Sequence, residues 1–393
     1  MAESPSVLYT AFDVVPSPKG ASTHITYFTR GLVQAGYRVQ LVTAGDPALP
    51  EKGEYCGASI LRIPAGGDAN FLERAMAFGE AVLRHLETAP PYAVAHFRSV
   101  WDGLAIVQAR ARFGYKTLFE VNGLPSVELK YHYPALKGTP LLAKIRQQEI
   151  AALLLADAIV CPSGVTRAFL ASLGVPRERI VVIPNGVDTR LFTPQPASPA
   201  AGVPSLLYIG TLADWQGLDL LLQALPMIVT EIPVKLRIVG RGRGRQRKDL
   251  QKHIHKLGLA EHVSIEPAVP HHQVPALIAQ ADVCVAPLAY NDRNVTQGCC
   301  PIKIIEYMAC ARPIVAANLP VARELVRENV DALLFAPDDP DDLARCVSAI
   351  LNDAPLAQRL AAAAGERARQ RFSWREAQKR LVKVYESVVR REA

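Results

Sequence analysis

Short runs rich in Val, Ile and Leu alternate along the first half of the chain with longer segments of helical periodicity. These runs are Val7 to Tyr9, Val39 to Val42, Thr117 to Val121, Ile159 to Cys161 and Ile180 to Ile183. A connection between parallel strands has to cross the sheet and usually holds a helix. The alternation therefore predicts a parallel sheet wrapped by helices.

The same alternation restarts after a proline-rich segment, residues 193–204. The second set of runs is Ser205 to Gly210, Lys235 to Val239, Val263 to Ile265, Val283 to Ala286 and Pro313 to Ala316. Two such sets predict an α/β protein with two Rossmann-like domains. We place the first domain at 1–192, the linker at 193–204 and the second domain at 205–372.

An amphipathic helix is predicted from about Trp374 to Arg391. Its apolar residues recur at i, i+3, i+4 and i+7, namely Leu381, Val384, Tyr385 and Val388. Such a stripe covers one side of a helix, so this segment must pack against another part of the molecule.

Composition and charge restrict the class of protein only in part. No apolar stretch approaches the ~18 residues of a membrane span, and the start lacks the basic and apolar blocks of a secretory signal. We therefore expect a cytoplasmic protein, in which the seven cysteines are reduced thiols without a zinc motif. The net charge of +7 suits a nucleic acid, an anionic membrane or a phosphorylated ligand equally well.

Two loops are candidates for binding an anion. The loop 16–24 follows a strand and enters a helix, where free amides and Gly20 allow close approach of a phosphate. The alternative is an ordinary β–α connection, and GxGxxG is absent. The loop 240–248 carries five cations, of which Arg241 and Arg243 lie nearest the strand end and are the better candidates for a diphosphate. A solvated turn is the alternative for the others.

The segment 296–317 combines three features of a phosphate site. Pro301 is typical of a helix start, so the helix dipole favours an anion near the amides of Cys299, Cys300 and Ile302. Lys303 and Glu306 then share one helix face, where they would suit a diphosphate and ribose hydroxyls. The alternative is a surface ion pair contributing only ~0.2–0.5 kcal/mol.

Across nearly its whole length the sequence resembles the retaining glycosyltransferases of family 4, which implies a GT-B fold of two Rossmann-like domains facing a central cleft. The motifs that carry the resemblance are Pro18 to His24, Ala156 to Ser163, Ile183 to Asp188 with Phe192, Leu207 to Leu212, Leu236 to Gly240, Ala281 to Pro287 and Glu306 to Ala316. It further implies that the C-terminal helix, 373–393, completes the first domain.

The resemblance also implies residue roles. Glu306 matches the second glutamate of the family's pair, which holds the donor ribose, whereas the first glutamate falls at Gly298. The family's diphosphate-binding Arg and Lys match Thr211 and Gln216, so Lys303, Arg241, Arg243 or Arg293 must neutralise the diphosphate. The complete donor-binding prediction is Gly20, Ala21, Gly210, Thr211, Gln216, Arg241, Arg243, Gly298, Cys299, Cys300, Ile302 and Glu306.

For the reacting centre we predict Asn122, His96 and Lys303. Asn122 occupies the place where many relatives carry a histidine, and His96 follows as a second candidate, with a structural hydrogen bond as its alternative. The family is retaining, which implies that the departing diphosphate accepts the acceptor proton and that no protein nucleophile is needed. Since no Asp-x-Asp ends a strand, we expect neither a metal ion nor a cofactor besides the donor.

The expected activity is transfer of a hexosyl-type sugar from a nucleotide diphosphate sugar to a glycan, lipid-linked or small-molecule acceptor. An epimerase or phosphorylase of the same fold, and a basic nucleic-acid or membrane binder without catalysis, remain alternatives. The mixed aromatic and basic stretch Glu128 to Arg146 could contact an anionic membrane peripherally, with an ordinary surface helix as the alternative.

Overall fold

The computed structural model of the chain describes residues 4–64, 69–194 and 202–390. They form two compact units, Met1–Pro184 with Arg375–Ala393 and Asn185–Trp374. Residues 195–201, most of the predicted linker, lie outside the described part.

The first unit is built on an eight-stranded sheet, counted over the described residues. Its strands are β1 (Ser6–Val14), β2 (Arg38–Ala44), β3 (Lys52–Tyr55), β4 (Ala58–Ile63), β5 (Val94–Phe97), β6 (Lys116–Glu120), β7 (Ala158–Cys161) and β8 (Ile180–Val182). Their order is β3-β4-β2-β1-β5-β6-β7-β8. Only the β3–β4 pair in that sheet is antiparallel.

Six helices connect these strands in the described part of the first unit. They are α1 (Gly20–Gln34), α2 (Phe71–Thr88), α3 (Val100–Phe113), α4 (Pro125–His132), α5 (Pro140–Leu155) and α6 (Gly164–Ser172). Local sequence sets where α2 begins. Asn70 accepts hydrogen bonds from the amides of Leu72 and Glu73, and Glu73 accepts one from the amide of Asn70. This reciprocal capping satisfies amides that the helix itself leaves open.

The second unit contains a parallel sheet of six strands among its described residues. They are β9 (Ser205–Ile209), β10 (Lys235–Val239), β11 (Val263–Glu266), β12 (Val283–Ala286), β13 (Ile314–Ala317) and β14 (Leu333–Phe335), in the order β11-β10-β9-β12-β13-β14. The helices are α7 (Leu218–Glu231), α8 (Gly244–Lys256), α9 (Val274–Ala279), α10 (Ile302–Ala309), α11 (Pro320–Arg323), α12 (Pro340–Asn352) and α13 (Ala354–Arg371). Each unit is thus built on a parallel or mostly parallel sheet with helical connections, and the predicted α/β fold class is confirmed.

The last helix, α14 (Trp374–Arg390), begins at the end of the second unit, and its remaining residues belong to the first. The predicted apolar stripe is buried: Leu381, Val384, Tyr385 and Val388 are each at most 5% exposed. Gln378 donates a hydrogen bond to the carbonyl of Tyr27 at 2.7 Å, which attaches α14 to α1.

The boundary between the units falls earlier than the predicted 192, because residues 185–192 pack within the second unit. Asn185 Nδ2 donates to the carbonyl of Cys300 at 2.7 Å, and Phe192 lies in the core of the second unit. No helix in the described ranges is both long and apolar enough to cross a bilayer.

Candidate active site

Three of the predicted donor residues, Gly210, Thr211 and Arg241, lie where the strand order of the second sheet reverses. The chain passes from β9 to β10 and β11 on one side, whereas β12 lies on the other side of β9. In open parallel sheets, ligands bind beyond the carboxyl ends of the strands at such a switch point. Gly210 and Thr211 follow β9, and Gly240 and Arg241 follow β10, so they lie at this edge.

The loops after β9 and β10 touch each other through glycine. A Cβ atom added to Gly240 would lie 1.7 Å from the carbonyl oxygen of Gly210. The amide of Leu212 donates to the carbonyl of Arg241 at 2.9 Å. Only glycine at position 240 permits this approach, which fixes the backbone around Gly210.

Lys303 reaches the same loop from helix α10. Its Nζ donates to Gln216 Oε1 at 2.6 Å and lies 3.9 Å from the centre of the Tyr208 ring. A Cβ added to Gly210 would lie 2.9 Å from that Nζ. Gln216 Nε2 in turn donates to Thr211 Oγ1 at 3.4 Å. The structure therefore brings Gly210, Thr211, Gln216 and Lys303 together.

The ammonium of Lys303 is held in an unfavourable environment. The pKa of Lys303 is lowered to about 7, mainly by burial and to a lesser extent by the charge of Arg293, whereas Cys299 and Glu306 act in the opposite direction. A lysine with that pKa is only partly charged at neutral pH. An entering anion would stabilise the charged form.

Glu306 lies one turn further along α10 and has a partner that sequence reasoning missed. Its Oε1 lies 2.8 Å from His271 Nε2. His271 belongs to a short 3-10 turn, His271–Gln273, between β11 and α9. The sequence could have indicated His271 by its position after a strand of the second sheet, because the loops at the carboxyl ends of parallel strands lie close together. Lys303 and Glu306 are 9% and 7% exposed, so the alternative of a surface ion pair is wrong.

The backbone at Gly298 explains why no glutamate stands there. A π-helical turn, Arg293–Gln297, ends at Gly298, whose φ is 80° and ψ is 167°. Side-chain-bearing residues almost never adopt this conformation. Cys299 and Cys300 follow as buried residues, and the Cys300 carbonyl and thiol both accept hydrogen bonds from Asn185. The Cys300 side chain therefore serves a structural contact.

The predicted arginines differ in their surroundings. Arg241 and Arg243 are exposed beyond β10. The other cations of the predicted loop belong to the start of α8, where Arg245 lies near Asp249 and Arg247 donates to the carbonyl of Ile265. Separately, the guanidinium of Arg293 lies 5.0 Å from the centre of the Trp215 ring.

The predicted donor residue Ile302 is half-buried at the first position of α10.

In the first unit, Glu120 at the end of β6 organises a buried polar network. Five side chains surround its carboxylate: Tyr9 at 2.7 Å, His24 and Arg98 at 2.9 Å, His96 at 3.2 Å, and Asn122. Burial alone would raise the pKa of Glu120, but Arg98 and His24 hold it well below its usual range. Glu120 is therefore a charged anchor for this edge of the first sheet.

The network separates the two predicted residues of the first unit. His96 is fully buried, and its Nδ1 lies 2.8 Å from the Tyr385 hydroxyl of α14, so its geometry favours the structural alternative. Asn122 is half-buried and hydrogen-bonded to Glu120. Gly20 and Ala21 lie in the first turn of α1, which has no side-chain cap and no acidic residue, a setting compatible with an anion.

Comparisons with known proteins agree with this architecture. The model of the glycosyl transferases of group 1 matches residues 203–353, and that of glycosyltransferase family 4 matches residues 18–191. A D-inositol 3-phosphate glycosyltransferase of Catenulispora acidiphila is 28% identical over 94% of this chain and 91% of its own length.

Two solved structures share the fold over 98% of this chain. The sucrose-phosphate synthase of Thermosynechococcus elongatus has a TM-score of 0.83 at 22% identity and is covered over 99% of its length. The Anabaena protein HepE, solved with UDP and glucose, has a TM-score of 0.76 at 18% identity and is covered completely. Both likenesses concern the fold.

Proposed function

Since this chain belongs to the group 1, family 4 glycosyltransferases, we propose that it transfers a hexosyl-type sugar, with retention, from a nucleotide diphosphate sugar. The observation that carries this proposal is the buried Lys303 ammonium beside Gly210 and Gln216, at the switch point of the second sheet. A cation held in a poorly solvated place is suited to a multiply charged ligand, because the attraction between opposite charges strengthens there.

The diphosphate binds to Lys303 in this proposal. Thr211 and Gln216 stand where the family's diphosphate-binding cations are expected, and neither carries a charge. Lys303 supplies an ammonium to the same loop, 2.6 Å from the Gln216 side chain. Arg241 and Arg243 beyond β10, and Arg293 on Trp215, are the further cations available to the phosphates.

Glu306 accepts hydrogen bonds from the ribose hydroxyls, one helical turn beyond Lys303. The amides of Gly298 to Cys300 take over contacts with the transferred sugar, because the backbone at Gly298 excludes the family's first glutamate. Asn122 and the first turn of α1 are the residues of the first unit that we assign to the reacting sugar and the phosphate.

Catalysis follows from placing charge where the leaving group forms. As the glycosidic bond breaks, the diphosphate oxygens gain negative charge, which Lys303 and the α10 amides stabilise more strongly than in the ground state. The acceptor oxygen bonds to the anomeric carbon on the face that the diphosphate leaves, and the departing diphosphate accepts the proton of the acceptor hydroxyl. The similar Catenulispora enzyme bears the name of an inositol phosphate acceptor, so a phosphorylated polyol is the first small molecule to offer beside glycan and lipid-linked acceptors.

Donor turnover tests the proposal directly. We expect one of UDP-, GDP- or ADP-hexoses to be consumed in the presence of an acceptor, and the rate to survive excess EDTA because protein cations carry the diphosphate. The measurement is nucleotide diphosphate release with and without chelator. Complete loss in EDTA that magnesium or manganese restores would contradict metal independence. Turnover without acceptor, or only with inorganic phosphate, would instead support an epimerase or a phosphorylase.

A further inference from the structure

Glu306 is held from the side by a histidine that none of the family motifs above includes. His271 Nε2 lies 2.8 Å from Glu306 Oε1, and the two residues come from different elements, the turn after β11 and helix α10. The side chain of Glu306 is 9% exposed and that of His271 is 29% exposed. The contact is thus formed at the rim of the site rather than deep in the core.

The imidazole itself is fixed by its surroundings. Its ring centre lies 5.1 Å from that of Phe192, a fully buried residue of the second unit's core. Two of its neighbours in sequence, Val274 and Pro275, are buried at the start of α9. His271 therefore approaches Glu306 from a firmly packed support.

The two carboxylate oxygens of Glu306 differ in their contacts. Oε1 is engaged by His271, whereas Oε2 has no hydrogen bond to any residue in the described part of the chain. A carboxylate rotates easily about its terminal torsion. A donor on one oxygen restricts that rotation and fixes the direction of the other oxygen's lone pairs.

We propose that His271 is a positioning residue for nucleotide recognition: it holds Glu306 through Oε1 so that Oε2 accepts a ribose hydroxyl of the donor. The inference rests on the proposed ribose role of Glu306 and adds a specificity determinant to it. Recognition of ribose over deoxyribose then depends on His271, although His271 does not touch the ribose.

The test compares ribonucleotides with their deoxy counterparts. UDP, GDP and ADP are titrated by calorimetry against the full-length protein, each beside its 2′-deoxy and 3′-deoxy form. For the nucleotide that binds best, we expect one deoxy form to bind at least tenfold more weakly to the unchanged protein, since one charge-assisted hydrogen bond is lost.

The His271→Leu variant should bind the ribonucleotide roughly tenfold more weakly and the deoxy form about equally, so that the discrimination falls towards one. His271→Gln, which keeps an N–H donor, should retain most of the discrimination. The neighbouring His272 is exposed, so His272→Leu serves as the matched control and should behave as the unchanged protein. Melting temperatures confirm that the variants are folded.

The Glu306→Gln variant separates the two levels of the argument. If Glu306→Gln loses the discrimination and a folded His271→Leu keeps it, the positioning role is wrong and the ribose role of Glu306 stands. If Glu306→Gln keeps the discrimination, the ribose role fails and the inference fails with it, as it also does when no nucleotide binds. Tighter ribonucleotide binding by His271→Leu would show that the histidine competes with the ribose, which also overturns the proposal.

Discussion

Lys303 lies on a helix, whereas the family resemblance expects the diphosphate-binding cations in the loop after the first strand of the second domain. Its Nζ nevertheless contacts Gln216, one of the two uncharged residues that stand at those positions. A positive charge can therefore be supplied to one place from two different elements. The geometry of the ammonium, rather than the position of the lysine in the sequence, decides what it can bind.

Replacing Lys303 should impair turnover more than folding. Lys303→Met removes a preorganised charge aimed at the leaving diphosphate, which typically contributes about 3 kcal/mol, so we expect roughly 100-fold slower transfer. Lys303→Arg should recover only part, because a planar guanidinium does not match a point charge. Lys252→Met, at an exposed lysine on α8, is the control. Normal turnover in a folded Lys303→Met would leave Lys303 a structural residue.

The lowered pKa of Lys303 also predicts how stability depends on pH. The pKa is about 7 in the folded chain and ~10.4 when unfolded. Between these values the unfolded state binds more protons, so the free energy of unfolding should rise with pH by at most ~1.4 kcal/mol per unit. Below pH ~7 the penalty for burying the charge is fully present.

Urea unfolding of the unchanged protein and of Lys303→Met at pH 7, 8 and 9 measures this effect. The unchanged protein should gain stability relative to the variant across that range. Parallel pH profiles would mean that Lys303 keeps an ordinary pKa in the folded chain.

The sequence predicted that Lys303 and Glu306 lie on one face of a helix, but it did not predict which side chains they contact. Helical spacing alone relates residues three or four apart. Gln216 and His271 come from loops far along the chain, and only the packing of α10 against the sheet brings them close. The spacing of the two residues along the helix also does not show that both side chains are buried.

At the scale of elements, the loop that leads into α10 is determined by one glycine. Gly298 ends the π-helical turn with a φ of 80°, a conformation that costs a residue with a side chain about 1–3 kcal/mol. A loop of this shape positions the Cys299 and Cys300 amides by backbone geometry, without a glutamate side chain.

Restoring a side chain at this position should therefore harm the protein. Gly298→Ala and Gly298→Glu should each lower the free energy of unfolding by about 1–3 kcal/mol, and Gly298→Glu should not increase turnover. Gly244→Ala, at an open site at the start of α8 where no atom lies within 4 Å of the added Cβ, is the control and should be close to neutral. A stable and more active Gly298→Glu would contradict the account.

The apolar runs predicted most strands of the two sheets but missed β3, β4, β5 and β14. The predicted runs coincide with β1, β2, β6, β7 and β8 in the first sheet. Strand β3 was not predicted because Lys52–Tyr55 is a polar, mostly exposed edge strand without an apolar run. Strand β5 was missed because His96 interrupts its short apolar run. In the fold, His96 Nε2 lies 3.2 Å from the Glu120 carboxylate and Nδ1 lies 2.8 Å from the Tyr385 hydroxyl. The segment 128–146 consists of α4, a short 3-10 turn and the start of α5, and its contact with a membrane stays a prediction.

Helix α14 contacts the rest of the first unit through Tyr385. Its hydroxyl lies 2.8 Å from His96 Nδ1, and both side chains are fully buried. Tyr385→Phe leaves that ring nitrogen without its partner, which should lower the free energy of unfolding by about 1–3 kcal/mol. Tyr290→Phe, at a tyrosine that is 58% exposed, is the control. Equal effects of the two substitutions in urea unfolding would show that the buried contact contributes nothing.

The return of α14 to the first unit has a consequence during translation. Residues up to Pro184 leave the ribosome first, but the helix that covers the side chains of this unit is synthesised after the whole second unit. At roughly 5–20 residues per second, the surface that receives Leu381 and Tyr385 waits on the order of 10–40 s. The nascent first half therefore presents an uncovered apolar surface to chaperones, and its folding is completed only when the last helix emerges.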